Sequence, residues 1–98
     1  MSFVQIVDFT TSKFDEMQAL GDQFRKETEG KRGTARVMAC RDRDRADHYC
    51  LIVEFPSYEE AMRNSALPET DRMSRQMAAL ADGPVGFTNL DVLRVDAD

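Results

Sequence analysis

The 98-residue chain has no tryptophan, one histidine and two cysteines, too few sulfur ligands for a cysteine-built metal site. It has no apolar run near the roughly 18 residues that span a bilayer. Its opening residues, MSFVQIVDF, lack the basic region and cleavage site of a secretion signal. A cytoplasmic protein with no membrane partner is therefore expected, with its thiols reduced. Basic residues are in deficit too: 13 Lys and Arg against 18 Asp and Glu give a net charge of -5. That is the wrong sign for neutralising phosphates, so nucleic acid is not an expected partner. Repeats, low-complexity tracts and a basic glycine-rich loop for gripping phosphate are all missing.

What remains is ordinary globular material, 42% hydrophobic and 32% charged, enough to bury one core and too short for a second. Residues 1–98 are read as a single domain. The clearest strand is His48-Tyr49-Cys50-Leu51-Ile52-Val53-Glu54-Phe55. Tyr49, Leu51, Val53 and Phe55 make one of its faces nearly pure hydrocarbon, while His48, Cys50, Ile52 and Glu54 mix ionisable and apolar groups on the other.

Around this strand the chain orders itself. Phe3 to Phe9 alternates as a first strand. Thr10, Thr11 and Ser12 offer caps to a helix whose apolar stripe is Phe14, Met17, Leu20, Phe24 and Thr28, ended by Gly30 and Gly33. A second strand runs from Thr34 to Arg41. The turn RDRDRAD at 41–47, with three arginines against three aspartates, reads as a solvated hairpin tip. Cys40 and Cys50 are equidistant from Arg45 and so should face each other. After Pro56, Ser57 and Glu60 form a capping box. Pro68 breaks the helix that follows within NSALPET, because the residue before a proline avoids helical backbone. Gly86 to Val95 alternates as a fourth strand. The order β-α-β-β-α-β, with right-handed crossovers, predicts an α+β, ferredoxin-like fold in which both helices cover one face of a four-stranded antiparallel sheet.

The other face is then bare. With Phe3, Val7, Phe9, Met38, Ile52, Phe87 and Leu93 assigned to it, that face is too greasy for solvent, and a second copy packed sheet to sheet would cover it. Gln5, Arg36, His48, Glu54, Asn89 and Asp91 fall on the same side in this register. A slip of one residue would move them all to the helices.

The strand and helix order, the broken helix carrying EFPSYEEAMRNSALPET and the closing FTNLDVLRV resemble the dimeric α/β-barrel superfamily, in particular small proteins similar to the antibiotic-biosynthesis monooxygenases. The likeness covers essentially the whole chain. It implies a homodimer whose sheets form a barrel, and a pocket for a small apolar or aromatic ligand. It also implies, as one activity of such proteins, oxygenation of phenolic or polyketide-like substrates without metal, flavin or other cofactor. The absence of tryptophan and the position of His48 argue against haem degradation. The alternative to catalysis is a barrel that binds its ligand without turning it over.

Cofactor-free oxygenation needs a base, fixed donors for the resulting anion, and a dry apolar enclosure. The candidate bases are His48, Glu54 and Asp91. Asn64, on the broken helix, and Asn89 are the candidate anion stabilisers, with Gln5 and Arg36 as further donors. Phe9, Met38, Ile52, Met73 and Phe87 are the candidate walls. Each has a plainer reading. His48 is satisfied beside the hairpin, Glu54 pairs with Arg36 across strands, Asn64 caps the helix break, and the methionines pack the core.

Overall fold

The computed structural model describes residues 2–31, 33 and 36–97, and the alternating stretches among them are strands. In chain order the elements are β1 (Phe3–Thr10), α1 (Phe14–Glu27), β2 (Arg36–Arg41), β3 (His48–Phe55), α2 (Tyr58–Ser65), α3 (Pro68–Leu80) and β4 (Gly86–Asp91). They form one antiparallel sheet in the order β2-β3-β1-β4, the ferredoxin-like α+β arrangement. Thr34 and Ala35, expected in β2, lie outside the described residues.

The helix break falls where Pro68 demands it. Leu67 is extended (ψ 135°), Pro68 opens α3 at a position that has no use for its missing N–H, and Ser57 caps α2 by accepting from the Glu60 N–H at 3.1 Å. The start of α1 differs from expectation. Lys13 is the N-cap and its side chain does no capping. Thr11 is instead wholly buried, donating to Leu80 O at 2.7 Å and accepting from Lys13 N–H at 3.0 Å, so it fastens the entry of α1 to the exit of α3. β4 is shorter than the alternation suggested. Beyond Asp91 the described residues leave the strand, and Val92 N–H donates to Ser2 O (3.0 Å), just ahead of β1. Leu93 and Val95 are consequently 85% and 80% exposed.

The faces of two strands are the reverse of the expected ones. Phe3, Val7 and Phe9 are 3%, 5% and 2% exposed, packed under the helices with Met17, Phe55, Ala61 and Met77. They bring Gln5 with them, and β4 follows its neighbour: Gln5 is opposite Asn89, Val7 opposite Phe87 and Phe3 opposite Asp91. Since residues directly opposite share a face, Phe87, Asn89 and Asp91 also lie on the helix side. Leu93, assigned with them, lies past the sheet. β2 and β3 keep their expected faces, with Arg36, Met38, His48, Ile52 and Glu54 away from the helices. The bare face is therefore Val4, Ile6, Asp8 and Thr10 of β1, His48, Cys50, Ile52 and Glu54 of β3, Arg36, Met38 and Cys40 of β2, and Thr88 and Leu90 of β4. Gly86 sits across from Asp8 on that side, and a Cβ there would stand 2.6 Å from the Asp8 carboxylate.

Candidate functional site

Between the helices and the sheet the packing is incomplete. An outer cavity of about 310 Å³ lies under α1, bounded by Phe9, Phe14, Gln18, Asp22 and Ala39 among others. An inner one of about 150 Å³ reaches Gln5, Val7, Phe55, Asn64, Thr70, Ser74 and Phe87. Gly21, Arg25, Val37, Leu51, Met73 and Met77 line both, so the two form one cleft. Its floor is the hydrocarbon face of β3 and β2, and its walls are α1 and α3. At the mouth Phe14 stacks on Tyr49, centroids 4.1 Å apart and planes 10° from parallel.

The cleft gathers some of the predicted residues. Gln5, Phe9, Asn64, Met73 and Phe87 line it, and Asn89 joins through its side-chain oxygen, which accepts from Gln5 Nε2 at 3.0 Å. Asn64 has two roles. Its backbone carbonyl accepts from Leu67 N–H and from Thr70 Oγ1 (2.7 Å), as the helix break requires, while its side-chain amide makes no hydrogen bond among the described residues and the residue lines the inner cavity. Asp91 lies on the same side of the sheet but lines neither cavity, being exposed at the end of β4.

The other predicted residues are on the opposite face. Glu54 pairs with Arg36 at 3.5 Å across β2 and β3. His48 Nε2 accepts from Arg45 Nη2 at 2.9 Å, with its Nδ1 3.5 Å from Thr10 Oγ1. Arg45 also holds Asp42 at 3.0 Å, and the Asp44 N–H together with this guanidinium keeps the Asp42 carboxyl below the usual range. Met38 and Ile52 are neighbours on the same side. Cys40 and Cys50 are direct cross-strand partners, both free thiols, and partial burial with Cys40 alongside pushes the Cys50 thiol up. Among the described residues no three His, Cys, Asp or Glu side chains converge as metal ligands, and no helix is long and apolar enough to cross a membrane.

Among the lining residues that were not anticipated, Gln18, Gly21, Asp22 and Arg25 stand together on α1. Their spacing is the available signal: they continue the stripe of Phe14 and Met17 at helical intervals, where a helix closed against a sheet would carry apolar side chains.

Solved structures share this architecture from end to end. SnoaB, a cofactor-independent oxygenase from Streptomyces nogalater, superposes with a TM-score of 0.78 at 16% identity, covering 96% of this chain and 95% of that one. The chain has the fold of the antibiotic-biosynthesis-monooxygenase-like proteins. Rv0793 from Mycobacterium tuberculosis gives 0.77 at 19% identity over 99% and 100% of the two chains. A protein described as an antibiotic biosynthesis monooxygenase gives 0.72 at 16% over 96% and 100%. No family model and no curated protein sequence matches the chain, so these likenesses carry the fold and leave activity to be argued from the cleft.

Proposed function

We propose that the chain works as a homodimer and that the cleft between α1, α3 and the sheet accepts a small aromatic or polyketide-like molecule for cofactor-independent monooxygenation. The carrying observation is the cleft itself, an apolar floor of Val37, Leu51 and Val53 with Asn64 among its lining residues, in a fold shared with a cofactor-independent oxygenase. In such a reaction the substrate supplies the electrons. Its anion meets O₂, one oxygen atom enters the ring and the other leaves as water. The protein's part is to hold the anion, exclude water and keep the reacting carbon in a dry enclosure. Asn64, with the Gln5–Asn89 pair, supplies the amide donors, and Phe9, Met73 and Phe87 supply the walls.

The dimer reading rests on the bare face. Val4, Ile6 and Ile52 are half-buried in the single chain, and Met38 and Leu90 are 37% and 43% exposed, an apolar strip across all four strands of the kind that sheet-to-sheet pairing covers. A second functional reading, binding without turnover, is favoured by one observation: His48 and Glu54 stand on the far face and Asp91 outside the cleft, so none of the three candidate bases reaches a molecule bound there. Oxygen uptake with a panel of quinols and polyphenols in metal-free buffer separates the two. Uptake that falls at least tenfold in Asn64→Ala is expected for the oxygenase. Tight binding of the same compounds with no uptake by the wild type would establish the binding protein instead.

A further inference from the structure

The cleft carries a charge that the fold does not need. We infer that Arg25 makes it selective for an organic anion, a flat apolar ring system whose acidic group is already ionised when it binds. This deepens the reading above and rests on it as far as the cleft being a binding site.

Among the described residues Arg25 is the one cation lining either cavity, and it lines both. It makes no ion pair among the described residues, a condition shared with Arg41 and Arg43 away from the cleft, whereas Arg36, Arg45, Arg63, Arg72, Arg75 and Arg94 are each tied to a carboxylate. Among the described residues the only carboxylate at the cleft is Asp22, which borders the outer cavity alone and, like Arg25, is exposed. Among the described residues Arg25 is the sole ionisable group of the inner cavity, and its polar company there, Gln5, Asn64, Thr70 and Ser74, is neutral. The inner cavity, furnished with a cation and neutral hydrogen-bonding groups and with no carboxylate, is built to receive negative charge and not to create it. The net charge of the chain is -5, so the long-range field repels anions and the preference has to arise by contact with Arg25.

Gly21 supplies the room. A glycine inside a helix is disfavoured against alanine by about 1 kcal/mol, and here packing gives no reason for it: a Cβ at Gly21 would meet nothing within 4 Å. The space in front of it is the junction of the two cavities, one turn from Arg25. A larger residue at this position extends from an unobstructed Cβ into the space the two cavities share.

The test compares two probes of one shape, naphthalene-2-carboxylate and its neutral counterpart naphthalene-2-methanol, by calorimetric titration of the wild-type chain, Arg25→Gln and Gly21→Leu, each checked for native circular dichroism. The carboxylate should bind the wild type about tenfold tighter than the alcohol, the scale of one charge-assisted hydrogen bond at a half-open site. Arg25→Gln should erase the difference and leave the alcohol's affinity within about twofold, since only the charge contact is removed. Gly21→Leu should abolish both. Equal affinities in the wild type, or a preference that survives Arg25→Gln, overturn the charge selectivity and leave the cleft standing as a binding site. Failure of both probes to bind the wild type, or binding that is indifferent to Gly21→Leu, removes the cleft and the selectivity together.

Discussion

The two faces of β1 are one residue apart in sequence and play opposite parts. Val7 is 5% exposed beneath the helices, in one cluster with Phe9, Met17 and Met77. Ile6, its neighbour, looks out from the bare face beside Ile52. A hydrophobic residue in the first position holds the chain folded, and in the second it holds nothing until another surface arrives. The largest expected effect follows from this difference. Val7→Asp buries an unpaired carboxylate and discards the packing of a valine, a loss above about 4 kcal/mol, so no cooperative unfolding transition should survive in urea. Ile6→Asp should leave the single chain within about 1 kcal/mol of wild type, as surface changes do, and yet convert the sedimenting species from dimer to monomer. If both substitutions unfolded the chain alike, the bare face would belong to the core and the distinction between the two sides would collapse.

Within the helix side, the seam between layers is held by polar contacts as well as by hydrocarbon. Thr11 has no exposed surface and joins Lys13 N–H to Leu80 O. Thr28, equally buried, returns its hydroxyl to Phe24 O at 2.7 Å and finishes α1. Thr11→Val keeps the shape and strands one donor and one acceptor in the interior, at a cost of roughly 1–3 kcal/mol. Thr28→Val strands nothing comparable, because Phe24 O also accepts from the Thr28 N–H at 3.0 Å, and should cost about 1 kcal/mol or less. Urea midpoints at unchanged slope measure both.

The architecture was legible because each element announces itself by period: the alternation of His48 to Phe55, the stripe from Phe14 to Thr28, and the proline that splits the second helical stretch at Leu67. The sides of the sheet were only half legible. Alternation in Phe3-Val4-Gln5-Ile6-Val7 says that two faces differ, but apolar residues stand on both, and which one meets the helices is decided by register against β3. Reversing β1 reverses β4 with it, because the two are direct partners. The candidate site split for the same reason, with Gln5, Phe9, Phe87 and Asn89 on the cleft side and His48, Glu54, Arg36, Met38 and Ile52 opposite. The plain readings of Glu54 with Arg36 and of His48 beside the hairpin match the contacts found. Gly21 and Arg25 were missed because a helical stripe is read by its apolar members, and these two mark where the stripe is interrupted. That interruption predicts a change of opposite sign from those above. Gly21→Ala should stabilise the chain by about 0.5–1 kcal/mol, raising the urea midpoint. A decrease would mean that the space before Gly21 is not open.

The smallest effects are electrostatic, and they again separate the helix layer from the hairpin. Glu69 on α3 is held below the usual carboxyl range by Lys31, 2.8 Å away, and Asp42 by the Asp44 N–H and Arg45 at the hairpin tip. A carboxyl more acidic in the folded chain than in the unfolded one stabilises the fold above its unfolded pKa, and that contribution disappears as pH falls through the depressed folded value. Both contributions are therefore complete at neutral pH and are withdrawn only in acid. Each pair has its cationic partner in solvent, Lys31 at 59% and Arg45 at 65% side-chain exposure, where water and salt screen it, so the change in midpoint should be slight and smaller still in high salt. Carboxyl titration by NMR resolves them individually. Lys31→Gln should return Glu69 toward the ordinary range and leave Asp42 unmoved, because no contact links the α1–β2 connection to the hairpin tip in either pair. A shift of Asp42 in that variant would show the two sides of the sheet to be coupled through the fold.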